Sequence, residues 1–567
     1  MEHFDLGSHT RTVSTVSPDA QRLFNLALNW CFGFNQEEGV TCFKEVLKHD
    51  PNCVMAHWGV AYARGPFYNN LWRQHCLQEA TDTTRICYEH IQAARAAFDY
   101  ASEVEKELVE ALSRRFQQPH PVSLKEFDRW DDDYANAMRR VYYRYPDDHD
   151  VAALFAEAIM TRTAWKLWNV NTGEPTPGAD TLEALHVIET SIAKKERLGK
   201  TQHPAILHLH IHVTEMSSEP ERARRSADRL STLCPDAGHM NHMPGHIYVL
   251  SGDYDLAKTV SEKAIKADQL YVDYAGVSNF YTTARAHDLH LMMFTCMFLG
   301  QYQCAKEAAD AICATLTKEL LSIKDRPQMV ITMEGYYSMK MHVFVRFGRW
   351  QEIIDEPTPT EADLYPVTIA MHHYAKTVAH AFLKDLSQAE QHRELFYRAV
   401  SNIDPQREFF NNPAVDILAI GESMLEGELA YHKGDYDEAF THLRESVRRN
   451  DSLHYSEPWP WMHPPRHALA ALLAEQDRFE EAEDVYRTDL GLNNKLQRCA
   501  QHPNNVWALH GLVECLEKRN EKTEVIELRR LLHDAQLKAD IPITSSCLCR
   551  KDTFVHDAPS CCNEQRD

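Results

Sequence analysis

One kind of turn recurs down the chain, and it restricts the fold more than any other feature. It reads Gly252-Asp253-Tyr254 with Ala257, Gly300-Gln301-Tyr302 with Ala305, Gly348-Arg349-Trp350, and Gly434-Asp435-Tyr436 with Ala439. A version without glycine follows as Asp477-Arg478-Phe479 with Ala482, and a degenerate one as Lys384-Asp385-Leu386 with Ala389. Successive turns lie 48, 48, 86 and 43 residues apart, and the degenerate one falls near the middle of the 86-residue gap. Between them, from Pro18 to about Lys538, apolar residues follow the helical period, and alternating β-branched runs are nearly absent. A helix, a tight turn, an aromatic that packs back and an alanine where two helices touch make a unit that cannot bury its face alone. The expectation is an all-α superhelix of helix pairs over residues 1–540. An N-terminal pair fits as well: Ala20 to Trp30, a turn at Asn35–Gly39, then Phe43 to His49. Residues Asn169–Asp180 read as a Pro/Gly-rich loop, and 541–567 as an irregular tail carrying Cys547, Cys549, Cys561 and Cys562.

Charge narrows the partners. The 567 residues carry 60 Lys and Arg against 83 Asp and Glu, a net −23, which argues against nucleic acid or anionic membrane held by a basic field. No apolar run is long enough to span a membrane. Met1-Glu2-His3-Phe4-Asp5 has neither the basic nor the apolar region of a secretory signal, so the expected location is cytoplasmic and the 15 cysteines mostly reduced.

The unusual residue is histidine, 32 in all, and it is clustered. Seven lie between His203 and His246, and the next after His246 is His287. On a helix, His208, His212 and Glu215 fall within an arc of about 60°, while His210 points away. His239 and His242 precede Pro244, a good first residue for a helix, so they are expected on the entering loop with His246 in the first turn. His287 and His290 form an i, i+3 pair. Paired imidazoles on one face present two donors to one point, which a transition metal requires. A single pair is often coincidence; three pairs on consecutive helices are not easily dismissed. Many imidazoles with few carboxylates suit copper, with iron or zinc as alternatives. His203 and His210 read as structural.

The turns resemble those of the tetratricopeptide repeat, with a period longer than the usual 34 residues. The pattern His208-x-x-x-His212-x-x-Glu215, His239-x-x-His242-Met243-Pro244-x-His246-Ile247 and His287-Asp288-Leu289-His290 resembles a family of large bacterial and fungal proteins built on such repeats. The similarity runs over nearly the whole chain, including Asp50-Pro51-Asn52, Leu154–Ala158 and Ser545–Cys549. Gln36 and Asp288 depart from it, where histidine and asparagine are usual. The resemblance implies the fold and the site more than a reaction.

Three functions remain open. The first is a copper, or iron, oxidoreductase acting on a small organic molecule, with His208, His212, His239, His242, His246, His287 and His290 as ligands. In the second, a mononuclear zinc or iron site uses Glu215 or Glu157 as acid or base for hydrolysis, hydration or rearrangement. The third is a repeat scaffold that binds a protein partner in its groove. Glu157 is a lone acid on an apolar face, with Arg162 as its natural structural partner. Cys547 and Cys549 could bring thiolate to a metal, and Tyr455–Arg466 could line a pocket or cap the superhelix. No Gly-rich phosphate loop or serine-hydrolase motif is present.

Overall fold

The computed structural model describes residues 3–121, 123 and 125–551. Among them are 27 α-helices and only two two-residue hairpins, Trp168–Asn169 with Glu174–Pro175 and Glu408–Phe409 with Asn412–Pro413. The expected all-α superhelix of stacked helix pairs is what the chain forms. No helix among the described residues is long and apolar enough to cross a membrane.

The recurrent turns share one geometry. Gly252, Gly300, Gly348, Lys384, Gly434 and Asp477 all have left-handed backbone. The next amide in each donates to the carbonyl five residues back, as Asp253 to Tyr248 at 2.8 Å and Asp435 to Ala430 at 3.0 Å. This bond ends one helix on its own carbonyls and starts its antiparallel partner a residue later. The N-terminal turn follows the same rule but lies earlier than expected. The helices are Pro18–Phe32 and Gln36–His49, so Gln36–Gly39 are helical, and the left-handed residue is Phe34, φ 57°. Asn35 then caps the second helix through Glu38 N–H.

Two large apolar clusters fill the molecule, one built mainly from residues 4–281 and one from residues 254–549. The helices carrying His208 to His246 pack in the first cluster. Helix Tyr281–Leu299 begins against the first and ends inside the second. Two glycines let its neighbours approach: a Cβ on Gly238 would sit 1.9 Å from Asp268 Oδ1, and one on Gly245 would sit 2.7 Å from Leu291 Cδ2.

From Ile541 to Lys551 the chain has no regular helix or strand, yet it is not loose. Ser545, Ser546 and Cys549 are buried, and Arg346 donates to the Ser546 carbonyl at 2.6 Å. Cys547 and Cys549 are joined in a disulfide, against the expectation of reduced thiols. Cys561 and Cys562 lie outside the described residues.

Candidate metal centre

Helix Pro204–Thr214 is buried along its whole length, so its histidines point into protein on every side. His208 Nδ1 lies 2.9 Å from the Phe32 carbonyl, and His212 Nδ1 lies 2.8 Å from Glu215 Oε1. An acceptor at Nδ1 places the ring hydrogen there and leaves Nε2 as a lone pair. His208 Nε2, His212 Nε2 and His239 Nε2 are buried with no hydrogen-bond partner. The three residues bring ligand atoms within 4.8 Å of one another.

A second trio, His242, His246 and His287, meets the same criterion. The sequence reading placed His239 and His242 on a loop; they sit instead on a helical turn, Gly238–His242, that leads through Met243 into helix Pro244–Leu250. His246 Nδ1 lies 2.6 Å from Glu215 Oε2, so its Nε2 is also a lone pair. His242 Nε2 is 2.7 Å from that atom and 2.9 Å from His287 Nε2. A single N–H satisfies one of those contacts; one cation between the three nitrogens satisfies all of them. The trios adjoin, with the His239 and His242 rings stacked at 5.7 Å.

Glu215 ties the trios together, one oxygen to His212 and the other to His246. Burial raises its carboxyl, but His246 and His212 outweigh that and hold it well below the usual range. Asp288 Oδ1 lies 3.1 Å from His242 Nδ1. Burial and the neighbouring Asp268 push the Asp288 carboxyl well above its usual range, and burial pushes Asp268 to about 6. Burial, reinforced by neighbouring histidines, holds His208, His239, His242 and His287 well below the ordinary imidazole range. Protons are therefore poor occupants of these sites, while neutral imidazoles are good metal ligands.

Other candidates lie elsewhere. His290 belongs to neither trio: its Nε2 faces Met462 Sδ at 3.1 Å and its ring stacks on Phe410. Glu157 accepts from Tyr62 Oη at 2.6 Å and is in neither histidine group. Arg162 is not its partner; it pairs with Asp132 and Asp180. Burial raises Glu157, and the nearby Arg115 charge offsets this only in part. His210 bonds Ser226 Oγ at 2.7 Å. The disulfide commits Cys547 and Cys549 to each other rather than to a metal.

Phe34 and the segment from Tyr455 also belong to the site, though no local pattern marks the latter. Phe34 stacks on His239 at 5.1 Å and on His212 at 5.8 Å. Tyr455 Oη donates to Glu215 at 3.2 Å, and Glu457 reaches within 3.8 Å of His246. The one local signal was Phe34 in a turn position that elsewhere is Gly, Asp or Lys.

The tetratricopeptide repeat family matches residues 239–269. This is the helix pair around Gly252, so His239, His242 and His246 lie on the first arm of a repeat. No curated protein matches the chain. Among solved structures it is similar to a human IFIT1 dimer with m7Gppp-AAAA, at 10% identity, covering 92% of this chain and 91% of that one, TM-score 0.30. It is also similar to the APC/C hetero-tetramer Cut9–Hcn1, at 12% identity, covering 91% and 96%, TM-score 0.24. A third is yeast Tom70, at 10% identity, covering 91% and 92%, TM-score 0.26. Likenesses at these TM-scores carry no argument about what this chain does.

Proposed function

We propose that the chain is a metalloprotein in which the two histidine trios hold a pair of copper ions, and that it oxidises a small organic molecule with dioxygen. The observation that supports this most is the convergence of two buried trios of imidazoles in which the Nε2 atoms of His208, His212 and His246 are lone pairs. Three imidazoles per ion and no carboxylate ligand favour copper over iron; zinc fits the nitrogen donors too. A pair of copper ions held there would accept the two electrons that the substrate gives up and pass them, with two protons, to dioxygen, which leaves as hydrogen peroxide. The chain's own part is orientation. Glu215 fixes the tautomers of His212 and His246, the Phe32 carbonyl fixes that of His208, and Phe34 packs against the rings of His212 and His239.

The hydrolytic reading is less well supported, because both Glu215 oxygens already accept hydrogen bonds from ligand imidazoles. That makes Glu215 a positioning residue rather than an acid or base. The scaffold reading draws support from the tetratricopeptide match, since stacked repeats present a groove to protein partners. Elemental analysis of tag-free protein, loaded in turn with Cu, Zn, Fe, Mn and Ni, separates them. Two equivalents of copper with oxygen uptake on a turned-over substrate support the proposal. Less than about 0.1 equivalent of any metal in folded protein leaves the scaffold.

A further inference from the structure

Ten non-glycine residues among those described have left-handed backbone, and three of them are aromatic: Phe34 at φ 57°, Trp165 at 58° and Phe410 at 49°. Asn and Asp visit this region readily, but for a bulky side chain it costs about 1–3 kcal/mol, and such strain persists where the surroundings impose it. All three aromatics line one cavity of about 330 Å³, as does Asn411, the residue after Phe410 and also left-handed at 58°. The same cavity reaches His239 of one trio and His287 of the other. The strained backbone therefore sets three rings around a space that opens on both halves of the centre.

Charged groups line the same cavity. Arg73 lies 6.0 Å from the Trp165 ring and has no ion pair among the described residues. Arg326, on the same wall, is taken by Glu37 at 2.9 Å. Glu79, Glu408 and Glu457 also line the cavity, which disfavours a ligand with more than one negative charge. A space of this size takes a compact small molecule.

We propose that this cavity binds the substrate, and that the substrate is a small aromatic monocarboxylate, its ring held by Phe34, Trp165 and Phe410 and its carboxylate by Arg73. This rests on the copper reading for its chemistry but not for its binding, which needs only the chain. The test is titration calorimetry of metal-free and copper-loaded protein with benzoate, against cyclohexanecarboxylate, benzylamine and phthalate, with metal content measured on the same samples. The variants are Phe34→Gly, which keeps the left-handed turn without strain, and Arg73→Gln. Benzoate should bind saturably to both forms, at least about tenfold tighter than the other three, and weaken at least about tenfold in each variant. No saturable benzoate binding, equal binding of benzylamine, or unchanged affinity in both folded variants overturns the proposal. Full copper without benzoate binding sinks this inference and leaves the metal centre. Benzoate binding without copper sinks the centre and leaves the cavity's ligand.

Discussion

In the trio of His208, His212 and His239, the Phe32 carbonyl and Glu215 accept hydrogens from Nδ1 of His208 and His212, and all three Nε2 atoms lack a partner. In the group of His9, Asp150 and His203, equally close, the arrangement is reversed. His203 Nδ1 accepts from the Ile206 amide at 3.4 Å, so its hydrogen is on Nε2 and goes to Asp150 at 3.1 Å. His9 Nε2 lies 2.9 Å from the same oxygen, and Arg11 holds the other at 3.1 Å. Burial raises the Asp150 carboxyl, yet the hydrogen bonds of His203 and His9 and the Arg11 charge hold it well below the usual range. One group leaves its inward ring nitrogens unpartnered; the other is a carboxylate already surrounded by hydrogens. Clusters of the same residue types differ by which ring nitrogen faces inward.

The sharpest way to break this contrast is to remove one ligand from each trio. The double change His208→Ala and His242→Ala should abolish binding of both ions, seen as loss of copper by elemental analysis with an unchanged helical spectrum. Retention of two equivalents would end the reading of the trios as ligands. Next, Asp150→Ala should leave metal content intact and destabilise the fold by about 1–3 kcal/mol, because the buried His203 Nε2–H loses its acceptor while Arg11 keeps only Asp148. Chemical denaturation of the copper-loaded protein reads both, and loss of metal without loss of stability would reverse the roles of the two groups.

A buried carboxyl with no cation beside it sharpens the comparison from the other side. Burial alone pushes Glu428 to about 8. An acid whose folded pKa lies above its unfolded value stays protonated while the unfolded chain ionises, so it subtracts stability as pH rises from about 4.5 to about 8. Glu428→Gln should therefore match the parent near pH 4 and gain roughly 5 kcal/mol over it by pH 9. A gain that is constant with pH would place the effect in packing instead. The smallest effect belongs to His290→Ala, which should retain both ions, whereas His287→Ala should lose one. Equal loss from both would put His290 back among the ligands.

The parts of the site that follow local geometry were legible. His208, His212 and Glu215 share a helix face because the helical period puts them there, and the structure joins Glu215 to His212 on that account. His287 and His290 obey the same period, yet their rings part, since His290 is drawn to Met462, 172 residues away. The trailing segment was read as pocket or cap because nothing local says that Tyr455 and Glu457 approach Glu215.

What the chain alone determined is the repeated turn, the helix pairs and the concentration of histidines on consecutive elements, all of which depend on neighbours a few residues apart. Only tertiary structure decided which nitrogen of each imidazole is bare, because the Phe32 carbonyl, Asp150 and the other acceptors come from distant segments. It also decided that Phe34 takes a glycine's place in its turn. A left-handed phenylalanine is unfavourable by itself and is held there by the packed rings of His212 and His239 across the interface.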